Sequence, residues 1–326
     1  MQNVRVAVLR GGPSEEYDIS MQTGAQVLAV LDTTTRFDPL DVVITKNGEW
    51  LVGGYVRLPE QVLPIVDVVF VALHGTYGED GTLQRLLDRY GSRYTGSGAF
   101  ASGIAMHKAT TKEHLKRVGI NTPKHFLATE QALDNLHGTA ASIHALLGMP
   151  VIVKPVASGS SVGVVKVNTI LGLEQALKQL LAVYPGVLIE ELVVGTEATC
   201  GVIEGFRGEA LYALPPVEIV PKNSSGLFDH VAKYDGSTEE ICPGRFDTTI
   251  KEQLMGIAKQ IHQELGLSQY SRSDFIVTPS DIYFLEVNTL PGLSTESLFP
   301  KALTAVGSTF SEFVSHLLED ALERRR

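Results

Sequence analysis

At 326 residues the chain is too long for one ordinary small domain, and roughly 100–200 residues per domain makes two or three the expectation. Its 44% hydrophobic and 20% charged residues exclude a disordered chain. With 27 Lys plus Arg against 37 Asp plus Glu, the net charge of −10 argues against a general binder of nucleic acid or of anionic membranes, so an anionic substrate has to be held by locally placed Lys and Arg.

The first hundred residues alternate strand and helix signals. Residues 4–9 are an apolar run interrupted only by Arg5, the mark of a strand buried on both faces, and Gly11-Gly12-Pro13-Ser14 follow after Arg10. The pattern predicts a helix over 19–31, buried strands at 42–44 and 66–73, and a short amphipathic helix over 82–90. That βαβ order implies a parallel sheet covered by helices, with ligands bound beyond the carboxyl ends of the strands. The loops 11–19 and 74–81 sit at such ends. The best apolar run, 66–73, is broken by Asp67 and is too short to span a bilayer. The N-terminal stretch lacks the long apolar segment of a signal peptide, and two cysteines, Cys200 and Cys242, make neither a disulfide framework nor a tetrahedral zinc site. A soluble, cytoplasmic chain is expected.

Further along, the pattern predicts helices over 99–106, 110–118, 140–147 and 173–183, with strands at 123–127, 151–153 and 164–167. Strands at 187–190, 198–203, 210–214 and 217–220 follow, then a long polar loop over 221–244. A loop of that length inside a compact domain is usually functional or mobile. A helix over 250–265, strands at 275–277 and 283–287, and a terminal helix over 312–322 complete the reading.

Several segments carry chemistry. Lys154-Pro155 ends an apolar strand and is followed by Ser158-Gly159-Ser160-Ser161-Val162-Gly163. Small residues let backbone N–H groups approach phosphate oxygens closely, and hydroxyls add donors. No Gly-Lys-Ser/Thr closes the loop, so it is not a Walker A sequence, and a plain hairpin turn is the competing reading. Asp274, Glu286 and Asn288 fall on two strands, and the two-residue period puts Glu286 and Asn288 on one face. Three hard oxygen ligands suit Mg²⁺. Arg272 shares the face of Asp274, where a guanidinium can clamp a phosphate or a developing oxyanion. Glu190, Glu191, Val193 and Glu197 lie in a strand end with an acid able to hold a ribose, or else form an ordinary acidic turn. Glu15 and Glu16, at a strand's carboxyl end, suit an ammonium group better than a pyrophosphate. His74 with Glu79 and Asp80 occupies a second such end, where a structural histidine and a functional one are equally compatible with the pattern.

Together these segments resemble the D-alanine–D-alanine ligase family of the ATP-grasp superfamily. The stretches GGPSEEYDIS, ALHGTYGEDGTLQ, VIVKPVASGSSVGV, AKYDG and FLEVNTLPGLSTESLFP occur in the family's order and cover nearly the whole chain. The resemblance implies an α/β chain, α+β in its ATP-grasp part, of three domains: an N-terminal Rossmann-like parallel-sheet substrate domain (1–96), a central ATP-grasp domain (97–189) and a C-terminal ATP-grasp domain carrying the Mg²⁺ and D-alanine sites (190–326). It implies phosphorylation of one D-alanine carboxylate by ATP, attack of a second D-alanine amine on the acyl phosphate, and release of a dipeptide for peptidoglycan synthesis.

By resemblance, Lys108, Lys154 and Lys233 contact ATP phosphates together with the Ser161 loop. Glu190 meets the adenine amino group, the Glu191 and Val193 backbones its ring edge, and Glu197 the ribose. Asp274, Glu286 and Asn288 hold two Mg²⁺ ions, replaceable by Mn²⁺. Arg272 and the Gly292 N–H form the oxyanion site. Glu16 holds the first D-alanine's ammonium, with His74 near its carboxylate, and Ser297 with the Leu298 backbone holds the second carboxylate. Glu16, Ser160 and Tyr234 form a triad that closes the long loop. A homodimer without nucleic-acid or membrane partners is implied. A D-alanine–D-lactate ligase on the same scaffold is the near alternative, against which Tyr234 argues. A nucleotide-binding regulator without catalysis is the distant one, expected to lack Arg272, a metal ligand or the loop lysine.

Overall fold

The computed structural model describes residues 3–159, 162–221 and 238–324. Ser160, Ser161, Lys233 and Tyr234 therefore lie outside the described residues, as does most of the 221–244 segment.

The chain opens with β1 (Val4–Gly11), α1 (Tyr17–Leu31), β2 (Phe37–Ile44), β3 (Trp50–Val52), β4 (Tyr55–Arg57), α2 (Pro59–Val62), β5 (Val68–Val71) and α3 (Thr82–Arg89). Val6, Ala7, Val8 and Leu9 are wholly buried, because α1 covers one face of β1 and both neighbouring strands pair with it. β2, β1 and β5 are parallel, with Val4 opposite Phe37 and Val6 opposite Val68. The expected parallel sheet is thus its core, but the whole sheet is mixed: β3 and β4 extend it antiparallel in the order β4-β3-β2-β1-β5. Gly53 and Gly54, at φ +58° and +82°, turn β3 into β4 as a two-residue hairpin requires.

Next come α4 (Ala99–Met106), α5 (Lys108–Arg117), β6 (His125–Thr129), α6 (Leu136–Leu147), β7 (Val151–Pro155), β8 (Val165–Val167), α7 (Ile170–Leu181) and β9 (Gly186–Glu191). The antiparallel sheet β6-β9-β7-β8 has its own core, in which Ile143 of α6 and Leu173 and Leu177 of α7 meet Val151, Val153, Val187 and Ile189. Asn135 and Thr169 cap α6 and α7 by accepting from Gly138 and Gly172 N–H groups. Helices α4 and α5 join a different core: Ala101, Ala105 and Leu115 pack with the third sheet.

That third sheet is built from β10 (Thr196–Glu204), β11 (Leu211–Ala213), β12 (Val217–Pro221), β13 (Thr238–Ile241), β14 (Tyr270–Val277) and β15 (Ile282–Asn288), with α8 (Thr248–Glu264) between β13 and β14, and α9 (Leu298–Ala305) and α10 (Phe310–Glu323) at the end. Its order is β13-β12-β10-β14-β15, with β11 also on β10. β13 corrects the expectation of one unbroken loop over 221–244: Thr238 faces Pro221 and Ile241 faces Glu218 in an antiparallel pair. Thr-Glu-Glu-Ile carries no apolar alternation because it is an edge strand, where polar residues are tolerated. α10 packs back on α1 and β5, and Phe313, Leu317 and Leu318 complete the core of the first sheet. Among the described residues no helix is long and apolar enough to cross a membrane.

Candidate active site

The three sheets meet around a cavity of about 420 Å³. Its floor is the β14–β15 pair. Antiparallel register sets Arg272 opposite Asn288 and Asp274 opposite Glu286, and a bulge after Asp274 ends that alignment. Arg272 donates from Nε and Nη2 to the two Asp274 oxygens, each at 3.0 Å. Asp274 also accepts from Thr199 Oγ1 at 2.6 Å and from Asn288 Nδ2 at 3.2 Å. Lys108 Nζ lies 3.4 Å from Glu286 Oε2 and also donates to the Ser158 carbonyl. Lys108 faces a small adjoining recess with Ser158, Glu286 and Asn288 rather than the main cavity.

The donor set of Asp274, Glu286 and Asn288 is all oxygen on the acceptor side, two carboxylates and one amide, and it fits a divalent ion. Among the described residues no group of three or more His, Cys, Asp or Glu side chains is placed to hold a metal ion, so two carboxylates and an amide would leave positions open to phosphate oxygens and water. That is the coordination Mg²⁺ favours.

One wall comes from the four-stranded sheet. Lys154, at the end of β7, and Glu190, near the end of β9, both line the cavity and lie 2.9 Å apart. Glu190 is 3% exposed, and its second oxygen lies 3.0 Å from Lys112 Nζ. Burial would raise the Glu190 pKa, but Lys112 and Lys154 hold it below the ordinary carboxylate value. Burial would lower Lys154, but Glu190 and Glu286 keep it above its usual value. For Lys112 burial wins over Glu190, with Lys154 adding repulsion, and its pKa falls to about 8. Sequence reasoning missed Lys112. The available signal was its position four residues after Lys108, on the same helix face. Glu191, Val193 and Glu197 line the same wall. The Glu191 N–H donates to the Lys124 carbonyl at 2.9 Å, and its carboxylate accepts from the Lys124 N–H at 2.9 Å.

The opposite wall comes from the strand ends of the first sheet and from the turn after β15. Glu16, His74, Gly292, Ser297 and Leu298 all line it. The approach is close: a Cβ on Gly75, whose φ is +69°, would lie 2.4 Å from Glu16 Oε2, and one on Gly159 of the phosphate loop 2.6 Å from the same oxygen. His74 Nδ1 donates to the Leu290 carbonyl at 2.8 Å, which leaves Nε2 to accept from Thr23 Oγ1 at 2.8 Å. Burial pushes its pKa down to about 4, the Leu290 bond opposing and Arg272 reinforcing, so the ring is neutral at pH 7 with a fixed tautomer. Both nitrogens are thereby engaged in holding the turn. Ser297 is the N-cap of α9 and Leu298 its first residue; Ser297 Oγ accepts from the Ser294 N–H at 3.1 Å.

Glu79 also lines the cavity and is only 5% exposed. One oxygen accepts from the Gly75 N–H at 3.0 Å; the other accepts from Thr289 and Leu290 N–H groups at 3.1 and 3.0 Å. The sequence showed an acid in this loop but gave it no role, because Thr289 and Leu290, which it holds, are more than two hundred residues away.

A cleft between two antiparallel sheets, with a lysine-ended strand on one side and paired oxygen ligands on the other, defines an ATP-grasp protein. Comparison with known proteins narrows the class. The profile described as "D-ala D-ala ligase C-terminus" matches residues 114–319, and that of "D-ala D-ala ligase N-terminus" matches 5–63 and 57–97. The D-alanine–D-alanine ligase of Syntrophobacter fumaroxidans is 37% identical over 99% of both chains, and that of Fusobacterium nucleatum 36% identical over 98% of this chain and 100% of its own. A D-Ala:D-Ser ligase structure from Enterococcus faecalis superposes with a TM-score of 0.84 at 30% identity, covering 98% of this chain and 100% of its own. The ATP complex of the Bacillus anthracis D-alanine–D-alanine ligase superposes with a TM-score of 0.78 at 29% identity, over 99% and 98%. The chain belongs to the D-alanine–D-alanine ligase family.

Proposed function

We propose that this chain joins two D-alanine molecules at the expense of ATP, through an acyl phosphate, giving D-alanyl-D-alanine, ADP and phosphate. The observation that carries the reading is the strand register at the cavity floor, which gathers Arg272, Asp274, Glu286 and Asn288 between a lysine-bearing wall and an ammonium-holding one.

The residues divide the work by charge. Lys154 holds the nucleotide phosphates, Lys108, set in the adjoining recess, reaches them past Glu286 as the family resemblance implies, and Glu190, the Glu191 and Val193 backbones and Glu197 hold the nucleoside. Glu16, anionic at the strand end, anchors the ammonium of the first D-alanine and turns its carboxylate toward the floor. Bound Mg²⁺ at Asp274, Glu286 and Asn288 supplies neutralisation of phosphate charge. Arg272 and the Gly292 N–H stabilise the oxyanion that develops when the second amine attacks. Ser297 and the start of α9 hold the second carboxylate, where N–H groups and the helix dipole favour an anion. Ser160, Ser161, Lys233 and Tyr234, outside the described residues, keep the roles that the family resemblance assigns them. Cytoplasmic location and a homodimer complete the proposal.

The test is ATP-dependent phosphate release with D-alanine, L-alanine, D-serine and D-lactate as candidate substrates, with product identified by mass. D-Alanine alone supporting turnover and yielding the dipeptide is expected. Turnover only in mixtures with D-lactate or D-serine would replace the acceptor, and no turnover with any of them would overturn the reading.

A further inference from the structure

Lys112 stands behind the nucleotide wall of the cavity. Its side chain is completely buried, and it is not among the residues that line the cavity. Nζ lies 3.0 Å from Glu190 Oε1, donates to the Phe284 carbonyl at 3.1 Å and sits 5.5 Å from the Phe284 ring centroid. Three groups thus fix the ammonium in place: a carboxylate, a main-chain oxygen and an aromatic ring.

Lys154 is placed differently. It shares Glu190 at 2.9 Å, but it also opens on the cavity. A nucleotide phosphate entering beside Lys154 competes with Glu190 for that single charge. If Lys154 were the sole counter-ion, ligand binding would strand a buried carboxylate without a partner, a large penalty. A second lysine on the far side of Glu190, out of reach of any ligand, removes the conflict.

We propose that Lys112 is the permanent counter-ion of Glu190: a positioning residue that keeps this carboxylate charged and oriented toward the nucleotide base while Lys154 transfers its charge to a phosphate. The proposal rests on the assignment of this cavity to ATP. It requires no contact between Lys112 and substrate. It makes α5 a two-point support, since Lys108 at its first residue braces Glu286 and the phosphate loop while Lys112, one turn on, braces the base pocket.

The test is calorimetric binding of ATP and of inosine triphosphate, whose base carries a carbonyl in place of the adenine amino group, to the full chain, with turnover and thermal unfolding in parallel. Lys112→Met keeps the apolar stem and deletes the charge. It is expected to weaken ATP binding by about tenfold or more, to shrink the preference for ATP over inosine triphosphate, and to leave the KM for D-alanine unchanged. If that variant does not fold, the double variant Lys112→Met/Glu190→Gln, which buries neither charge, decides. It is expected to regain thermal stability without regaining base discrimination. A Lys112→Met protein that is less stable but binds both nucleotides as wild type does would overturn the proposal, because Lys112 would then be only a tie between α5 and the sheets. So would a double variant with full base discrimination. Wild-type protein that binds no ATP would instead overturn the assignment of the cavity.

Discussion

Replacing Glu79 by glutamine asks how much of catalysis depends on one buried carboxylate that performs no chemistry. The side chain bridges the first sheet's loop and the turn after β15: Oε1 takes the Gly75 N–H and Oε2 the Thr289 and Leu290 N–H groups. Glutamine has the same shape but only one acceptor oxygen. Placing that oxygen toward Thr289 and Leu290 sets an NH₂ group against the Gly75 N–H; the reverse orphans two donors. The first is the lesser loss, with the Gly75 N–H and the new amide N–H facing each other unpaired, about 1–3 kcal/mol for each buried unsatisfied donor. Burial holds the Glu79 pKa above its ordinary value even with these bonds, so removing the charge returns part of that cost, and the net loss of stability lies near the low end. The effect on turnover is larger. Thr289 and Leu290 connect Asn288 to Gly292, so a shift of this segment displaces the proposed metal ligand and the proposed oxyanion donor together. A displacement of about 1 Å at a reacting centre costs on the order of 10²-fold. The expected outcome is a kcat for phosphate release lowered by about 10–100-fold, with thermal stability slightly reduced and ATP affinity unchanged. Turnover within a factor of about two of wild type in a folded Glu79→Gln protein would refute the reasoning.

Three further outcomes are expected. Glu286→Gln should nearly abolish phosphate release at ordinary Mg²⁺ without unfolding the protein, and turnover like wild type would end the assignment of the metal site. Gly75→Ala places a methyl 2.4 Å from Glu16 Oε2 at a positive φ, and should raise the KM for D-alanine far more than that for ATP; equal effects on both would show general damage instead. Burial pushes Glu204 up, but His262 Nε2 3.4 Å away, Arg324 and the Gln269 N–H outweigh it and pull its pKa down to about 2. A depressed carboxyl contributes its stability above the ordinary value of 4.5 and loses it as pH falls toward about 2, so Glu204→Gln should cost about 2–3 kcal/mol at pH 7 and flatten the acid limb of unfolding; an unchanged acid limb would contradict this.

Much of this was legible in the sequence because it is local. Apolar runs identified β1, β5, β7 and β9, and the two-residue period put Glu286 and Asn288 on one face before any register was known. The strands that escaped lacked that signature. β3 and β4 are three residues each, with β4 fully exposed, and the only marker was the Gly53-Gly54 pair between them. α9 was masked by Pro300, which is tolerated in a first helical turn where no N–H partner is lost. At the site, the residues that escaped are those whose function lies in a distant partner. Lys112 is a lysine on an otherwise polar helix until Glu190 is folded against it, and Glu79 is one acid among several until residues 289 and 290 arrive. Side chains that face substrate recur as contiguous motifs; side chains that hold those motifs in place are visible only in three dimensions.

The buried contacts also divide the molecule mechanically. The first sheet's loops are joined to the turn after β15 by His74 and Glu79, and the segment after α3 is joined to α10 by Gln269, which accepts from the Gly96 N–H at 2.7 Å and donates to the Leu317 carbonyl at 2.9 Å. Phe313 and Leu317 of α10 continue the same apolar core. The proposed ammonium-holding wall and oxyanion turn are therefore parts of one body with a shared interior, while the β14–β15 floor packs Phe275, Phe284 and Val287 into a second core with α4, α5 and α8. The four-stranded sheet has a core of its own, and Glu190, on the wall it contributes, is tied by ion pairs both to Lys112 of α5 and to Lys154. Apolar burial is insensitive to a passing ligand, whereas ion pairs re-form around a new charge. On the proposed reading, the division puts the carboxylate to be activated and the Gly292 N–H on the side held by apolar packing. It puts the nucleotide, whose phosphates alter the ion pairing, on the adjustable side. Under that assignment, geometry at the reacting carbon is set by packing, and response to ATP by electrostatics.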